Sequence, residues 1–441
     1  MRHSQASGDQ ADSLVVTLLK QIFDACMYPL RMLFLALAIS LLCSGSIYAQ
    51  ILQGDWVDQS QAAIEEHRKT DVTVIVLDQN DRAVQGATVR LVQQRHDFEV
   101  GLTLPVDRMP PKKAGDLPVY RSINAIALDR YTNWAEASEA APREQAKRLK
   151  AWAEAIDPIH SHFGRVISAD PAKNHDRMSL LEPAELRDAV NARIDLATIY
   201  EPRPDRYDLY ADLLSQDMIE RKLGQGMLPR MFERAASRRP DARFGVRVRN
   251  AIALQSGRAF AAAIQKMEVR QVRFDHITIE QSFPGPIQPK SLQRMFEEYI
   301  SPLPVSVSLA NLEISGPTPV AAAIKIETLL RLAFAEPNVT GISFAGLEEQ
   351  DLVEPNAALL DQSGKPTASG EALDALFTKL WHSDESGVTD ERGNAEARVF
   401  TGWYTLTAKL PDGTVIESQA YIPKDERSKL IVLQVTAAEA K

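Results

Sequence analysis

The sequence predicts an α/β protein: a (β/α)8 TIM barrel with a small accessory β module built from the N- and C-terminal segments. Three observations predict it. Residues from about 117 to 385 alternate helical signals with short apolar strands, over a length that suits eight strand–helix units. Both flanks of that stretch read as strands instead. No glycine-rich phosphate loop follows any strand, which weighs against the doubly wound open sheet that the same alternation allows.

Composition agrees with a globular chain. Of 441 residues, 45% are hydrophobic and 25% charged, which excludes disordered, collagen-like and multi-pass membrane classes. With 50 basic against 59 acidic residues the formal charge is −9, so no electrostatic reason exists to expect nucleic acid.

The first segment, residues 1–49, reads as an N-terminal extension and an export address. Arg31 precedes the apolar run Met32–Cys43, and Ser44-Gly45-Ser46-Ile47-Tyr48-Ala49 supplies small residues at the exit. The run is shorter than the roughly 20 residues that cross a bilayer. A signal peptide over residues 27–49, cut near Ala49, is expected; an uncleaved anchor helix is the alternative. Met27 is the more natural start, and bulky Leu42 argues against lipid attachment at Cys43. Cleavage would remove both cysteines, Cys26 and Cys43, and with them disulfides, thiol catalysis and zinc–thiolate sites. The mature chain is then expected to be secreted or periplasmic, with no stable membrane span.

Residues 50–110 form the N-terminal β segment. Val72–Leu77 and Ala87–Val92 alternate about a turn at Gln79-Asn80-Asp81, which favours a hairpin. The C-terminal β segment, 386–441, offers strands at Ala395–Phe400, Tyr404–Leu410, Ile416–Ile422 and Leu430–Val435, with Pro411-Asp412-Gly413 as a turn. The two segments are expected to pack together as a structural collar. A carbohydrate-binding module, with Trp403 and Tyr404 stacking on sugar rings, or a partner-docking sheet are the other readings.

The barrel is placed at 111–385. Its helical signals are Pro142–Ile156, Pro183–Ile199, Met227–Ser237, Pro289–Ile300 and Pro319–Phe334, several opened by proline. Phe274–Ile279, Pro304–Leu309 and Val339–Phe344 read as buried parallel strands. His160, His162 and His175 lie close together but match no metal-ligand spacing, so they read as surface or loop residues and no metal or organic cofactor is expected. Ser282 lacks a G-x-S-x-G context. Arg230, Arg234 and Arg238 share one helix face, the pattern of a solvated surface.

Several stretches, in order, resemble glycoside hydrolase family 10, the xylanase-type family. The opening runs from Ile64-Glu65-Glu66-His67 through Arg95-His96-Asp97-Phe98 to Gly101. Tyr207-Asp208-Leu209-Tyr210-Ala211-Asp212 is similar to W-D-V-x-N-E, and Arg239-Pro240-Asp241-Ala242 to the P-D-A element. Phe274–Phe283 resembles V-D-G-I-G-I-Q-G-H-F, Leu303–Leu309 resembles L-P-I-x-I-T-E, and Pro337–Glu348 resembles the late P-x-V-x-G-I-x-x-W-G-F-W. The resemblance implies a barrel with its cleft at the C-terminal ends of the strands.

It also implies two catalytic carboxyl groups about 5–5.5 Å apart. The acid/base position falls on Asp212 and the nucleophile position on Leu309, whose side chain has no nucleophilic atom. Ala211 replaces the neighbouring Asn, Ser282 the His, Glu280 the Gln, and Ala345 and Glu348 the two tryptophans. Leu128-Asp129-Arg130…Asn133-Trp134 matches the E-N…K-W element, and Phe163–Ala169 matches R-G-H-T-L-x-W with Arg165 for His. Tyr207, Asp208, Ser282, Trp134 and Arg247 are the candidate cleft residues, with Arg247 a contact for an acidic sugar. The expected function is a divergent, catalytically degenerate member whose partner is a polysaccharide, xylan-like or an acidic β-glycan. The alternative is an active glycosidase using Asp212 with Glu280 or Glu313.

Overall fold

The computed structural model describes residues 54–435, except 105–108, 111–117, 130–141, 175–177, 200–203, 216, 253, 284, 355 and 425–427. The expected signal peptide, Trp134 and His175 therefore lie outside the described residues. Trp56–Lys441 forms one unit.

Nine parallel strand segments close into a barrel. They are β3 (Glu99–Thr103), β4 (Ala125–Ala127), β5 (His160–Phe163), β6 (Ile167–Ser168), β7 (Arg206–Ala211), β8 (Arg243–Arg249), β9 (His276–Ser282), β10 (Ser306–Glu313) and β11 (Val339–Phe344). The order is β5-β4-β3-β11-β10-β9-β8-β7-β6, and a β5–β7 pairing completes the circle. With β5 and β6 counted as one interrupted strand, this is an eight-stranded (β/α)8 barrel. Its strands are buried on both faces, as an enclosed parallel sheet requires; β3 and β7 expose no residue. The barrel thus takes its first strand from the segment that sequence reading gave to the N-terminal β region.

The intervening helices follow the sequence signals. Pro142–Ile156 has the expected bounds, and Pro319–Ala335 starts at the expected proline, where the Thr318 side chain accepts from the Ala321 N–H.

The barrel interior is polar. Arg206 on β7 reaches the Glu99 carboxylate on β3, and Asp208 on β7 accepts from Thr278 on β9 at 2.7 Å. These side chains cross the barrel, so alternation turns Tyr207 and Leu209 the other way. Tyr207 stacks on Phe244 at 5.2 Å and its hydroxyl meets Arg239 at 3.1 Å.

The flanking strands make two sheets. β1 (Lys69–Leu77) pairs antiparallel with β13 (Asn394–Phe400) and parallel with β16 (Ser428–Gln434). The second sheet is β12-β2-β14-β15, made of Asp384–Val388, Thr88–His96, Gly402–Lys409 and Val415–Ile422. The expected β1–β2 hairpin does not form, because the two strands belong to opposite sheets. Their apolar faces explain it: Val72, Val74 and Val76 pack with Val89 and Leu91 in one core, together with Tyr404, Leu406 and Ile416. Face-to-face packing buries both stripes, whereas an edge-to-edge hairpin would leave them on one open surface. Tyr404, a candidate for sugar stacking in the sequence, is 1% exposed and donates its hydroxyl to the Phe400 carbonyl.

Arg68 ties the barrel to the module. Just ahead of β1, it donates to the carbonyls of Phe334, Glu336 and Val339, each at 2.6 Å. Its guanidinium lies 5.1 Å from the Phe98 and Phe334 ring centres.

A candidate binding cleft at the C-terminal ends of the strands

A cavity of about 610 Å³ opens at the C-terminal ends of the strands, where a barrel of this kind places its site. Thr103, Asp129, Arg165, Lys173, Arg249, Glu280, Ser282, Asn311 and Glu313 line it. Three residues around it are left-handed: Asp212 (φ 58°) and Asn250 (φ 54°) directly after β7 and β8, and Asn311 (φ 50°) at an irregularity within β10. Asp and Asn tolerate that region better than other non-glycine residues, so the strands can turn here without glycine.

Asn311 corrects the sequence assignment on β10. Leu309 is completely buried and does not line the cleft. The register is irregular between Leu309 and Leu312, and Asn311, with Glu313 beyond it, lines the cavity. Its Nδ2 donates to Asp129 Oδ2 at 3.0 Å, and its Oδ1 accepts from Thr103 Oγ1 at 2.7 Å. A gapless match cannot anticipate a bulge. The available signal was a polar residue between Ala310 and Leu312 at the end of an apolar run.

Glu280 lies on β9 inside an arginine clamp. Arg165 donates to Oε2, Arg247 Nε stands 3.2 Å from the same oxygen, and Arg249 Nε is 3.8 Å from Oε1. Burial alone would raise this carboxyl, but the Arg247, Arg165 and Arg249 charges outweigh it and bring its pKa to about 2. A group with that pKa holds no proton to donate near neutral pH.

Asp212 is 7% exposed and does not itself line the cavity. Its Oδ2 accepts from Ser168 Oγ at 2.6 Å, and its Oδ1 lies 3.7 Å from Arg249 Nε. Arg249 thus spans the Asp212 and Glu280 carboxylates. Glu313 lines the cavity with Oε2 turned to backbone, accepting from Val353 N at 3.0 Å and Glu354 N at 2.9 Å.

Three other expected cleft residues are internal. Arg247 is 1% exposed and serves as the hub beneath the cavity, bonded to Asp129 and, at 3.1 Å, to Asp208 Oδ2. It is not placed to meet a sugar. Asp208 is sealed inside the barrel and Tyr207 lies on the wall facing Phe244, both 0% exposed. Ser282 does line the cleft and is exposed, as does Ala345, the replacement for a tryptophan.

His162, read as a surface or loop residue, is 6% exposed inside the barrel and groups with Asp208 and His276 as three potential metal ligands. The three ligand atoms lie within 4.8 Å of one another, but they are engaged with each other and with further side chains. Asp208 Oδ1 already receives Thr278 Oγ1, with His162 Nε2 at 3.1 Å and His276 Nε2 at 3.2 Å, while Arg247 holds Oδ2. Burial keeps His276 neutral, its pKa lowered to about 4, and coulombic attraction to Asp208 offsets only part of that. The cluster is a hydrogen-bonded plug, with Arg247 as its permanent positive charge.

No family model matches the chain. Among curated proteins it is 23% identical over 374 residues to the anti-sigma-I factor RsgI6 of Acetivibrio thermocellus, covering 81% of this chain and 47% of that protein. It is 21% identical over 378 residues to endo-1,4-beta-xylanase 1 of Arabidopsis thaliana, covering 83% of this chain and 39% of the relative. The chain therefore spans less than half the length of these relatives. Among solved structures, xylanase 10B of Thermotoga petrophila, in complex with xylobiose, superposes with a TM-score of 0.54 at 13% identity, over 64% of this chain and 95% of that one. Native xylanase 10B of Thermotoga maritima gives 0.54 at 14%, over 64% and 96%. At these identities the likeness is one of fold: this chain has the (β/α)8 barrel of the glycoside hydrolase family 10 xylanases.

Proposed function

We propose that this protein is a non-hydrolytic relative of the family 10 xylanases, whose cleft binds a polysaccharide chain without cleaving it. One observation carries the reading: the carboxyl groups that the strand ends bring to the cleft, Asp212, Glu280 and Glu313, are each held by other groups of the protein. Two β10 residues line the cavity, and the first of them is an amide, Asn311, engaged on both its atoms. Glu280 is clamped by arginine, Asp212 is tied to Ser168 and Arg249, and Glu313 receives two backbone amides. Retaining and inverting hydrolysis each need one carboxyl that gives a proton and a second that attacks or activates water. The open cavity and its polar rim support retained glycan binding. The regulator and the hydrolase named among the relatives share this likeness, so their names do not decide between the two roles.

The test is reducing-end release from xylan and mixed β-glucans by the full chain, beside affinity electrophoresis in the same polysaccharides. Retardation without release is expected. Turnover that disappears on Asp212→Ala would establish the divergent glycosidase instead. Export of the mature chain is part of the proposal, resting on Arg31, the apolar run and Ala49. N-terminal sequencing of protein from the culture medium or periplasm tests it, with Gln50 expected as the first residue.

A further inference from the structure

We infer that the chain carries a second site, separate from the cleft, for a small oxyanion, where the β module meets the N-terminal end of the barrel. A cavity of about 250 Å³ lies there. Its walls come from both parts of the molecule: Arg95 and His96 at the end of β2, Arg121, Ser122 and Asn124 before β4, and His382 ahead of β12. Residues preceding β4 mark the end of the barrel opposite to the cleft.

Three features select the ligand chemistry. None of the lining residues is acidic, in a chain that carries a net −9. Two arginines line the cavity. Arg121 is exposed and has no ion pair among the described residues, while Arg95 commits both terminal nitrogens to Asp157, Nη2 to the carboxylate at 3.0 Å and Nη1 to the backbone carbonyl. Ser122 is 7% exposed, and its Oγ has no hydrogen-bond partner among the described residues. A buried hydroxyl without a partner costs stability unless something completes it. The Arg121 guanidinium fork and the Ser122 hydroxyl match the oxygens of a phosphate or carboxylate, and no carboxylate in the lining competes for Arg121. His96 adds no charge, since burial lowers its pKa to about 3. The volume admits a small molecule and excludes a polymer, which separates this site from the polysaccharide cleft.

The experiment is calorimetric titration of the full chain with inorganic phosphate, with D-glucuronate and with D-glucose. Saturable one-site binding of phosphate or glucuronate, and none of glucose, is expected; whichever anion binds identifies the source of the oxyanion. Arg121→Gln should weaken it by about tenfold or more, a loss of roughly 1.4 kcal/mol. Arg121 is exposed, so the variant leaves the fold intact, and Ser122→Ala should weaken binding severalfold. Arg249→Gln, in the cleft, should leave it unchanged. Failure of both anions to bind, binding unaltered by Arg121→Gln, or binding abolished by Arg249→Gln would each overturn the inference. Polysaccharide retardation is read separately, so neither result depends on the other.

Discussion

Asn311 Nδ2 donates to Asp129 Oδ2 at 3.0 Å, and Arg247 approaches the same carboxylate oxygen from below. An amide can sit against that carboxylate where a second carboxylate could not. Asn311 is therefore integral to the charge balance of the cleft floor.

The first prediction follows from that contact. Asn311→Asp sets two carboxylates side by side, and at pH 7 they repel. We expect a loss of between about 0.5 and 3 kcal/mol in urea unfolding. The loss should shrink at pH 5, as the pair takes up a shared proton. An equal loss at both pH values would rule out charge repulsion as its cause.

Arg247→Met removes the hub. Asp129, Asp208 and Glu280 would all lose their shared counter-charge inside a buried site, where breaking one partner costs about 3–5 kcal/mol. Adding Asp208→Asn should recover part of it, because one orphaned charge is gone. A double-mutant cycle measures the recovery, and strict additivity would mean that Arg247 and Asp208 do not act as a unit.

How far the sequence foretold this arrangement can be traced residue by residue. The barrel strand Val339–Phe344 and the helix Pro142–Ile156 were legible to the residue, since apolar runs and proline starts are local signals. The β1–β2 pairing was not, because alternation specifies which face is buried and leaves open which strand lies alongside. Asp212 and Glu280, read from the sequence as an alternative catalytic pair, stand on either side of Arg249. The clamp on Glu280 was invisible: Arg165, Arg247 and Arg249 converge only once three strands are wrapped into a barrel. Leu309 failed as a site residue for a local reason, the bulge that brings Asn311 forward.

The collar reading of the β module makes its own prediction. Trp403 and Tyr421 lie opposite each other on β14 and β15, ring centres 5.1 Å apart, and are 42% and 39% exposed. Such a cross-strand pair contributes about 0.2–1 kcal/mol. Trp403→Ala should cost no more than that in urea unfolding and leave polysaccharide retardation unchanged. Lost retardation in a variant of full stability would make this face a sugar platform.

The buried groups with depressed pKa values each give stability the same dependence on pH. His160 opposes it in part: burial would lower its pKa, but its bond to Asp205 works against burial and the pKa is raised. His276 and His96 have folded pKa values of about 4 and about 3, below the ordinary 6.5, chiefly because burial disfavours the charged ring. Glu280 is at about 2 against 4.5, where the arginine charges overcome the opposing effect of burial. All three values are depressed on folding, so the unfolded chain binds more protons and stability falls as pH falls. The histidine contributions are complete above about pH 6.5 and are lost toward 4 and 3; that of Glu280 is complete above about 4.5 and lost toward 2. Unfolding free energy should therefore begin to fall below about 6.5 and fall more steeply below about 4.5. Asp205, also at about 2, adds to the lower limb; burial opposes that shift, and bonding to His160 and the Arg206 charge outweigh it. Glu280→Gln should flatten only the lower limb, and His276→Asn only the upper one. A wild-type profile flat from pH 7 to 5 would contradict the buried neutral histidines, and a Glu280→Gln effect confined to pH above 5 would contradict the arginine clamp.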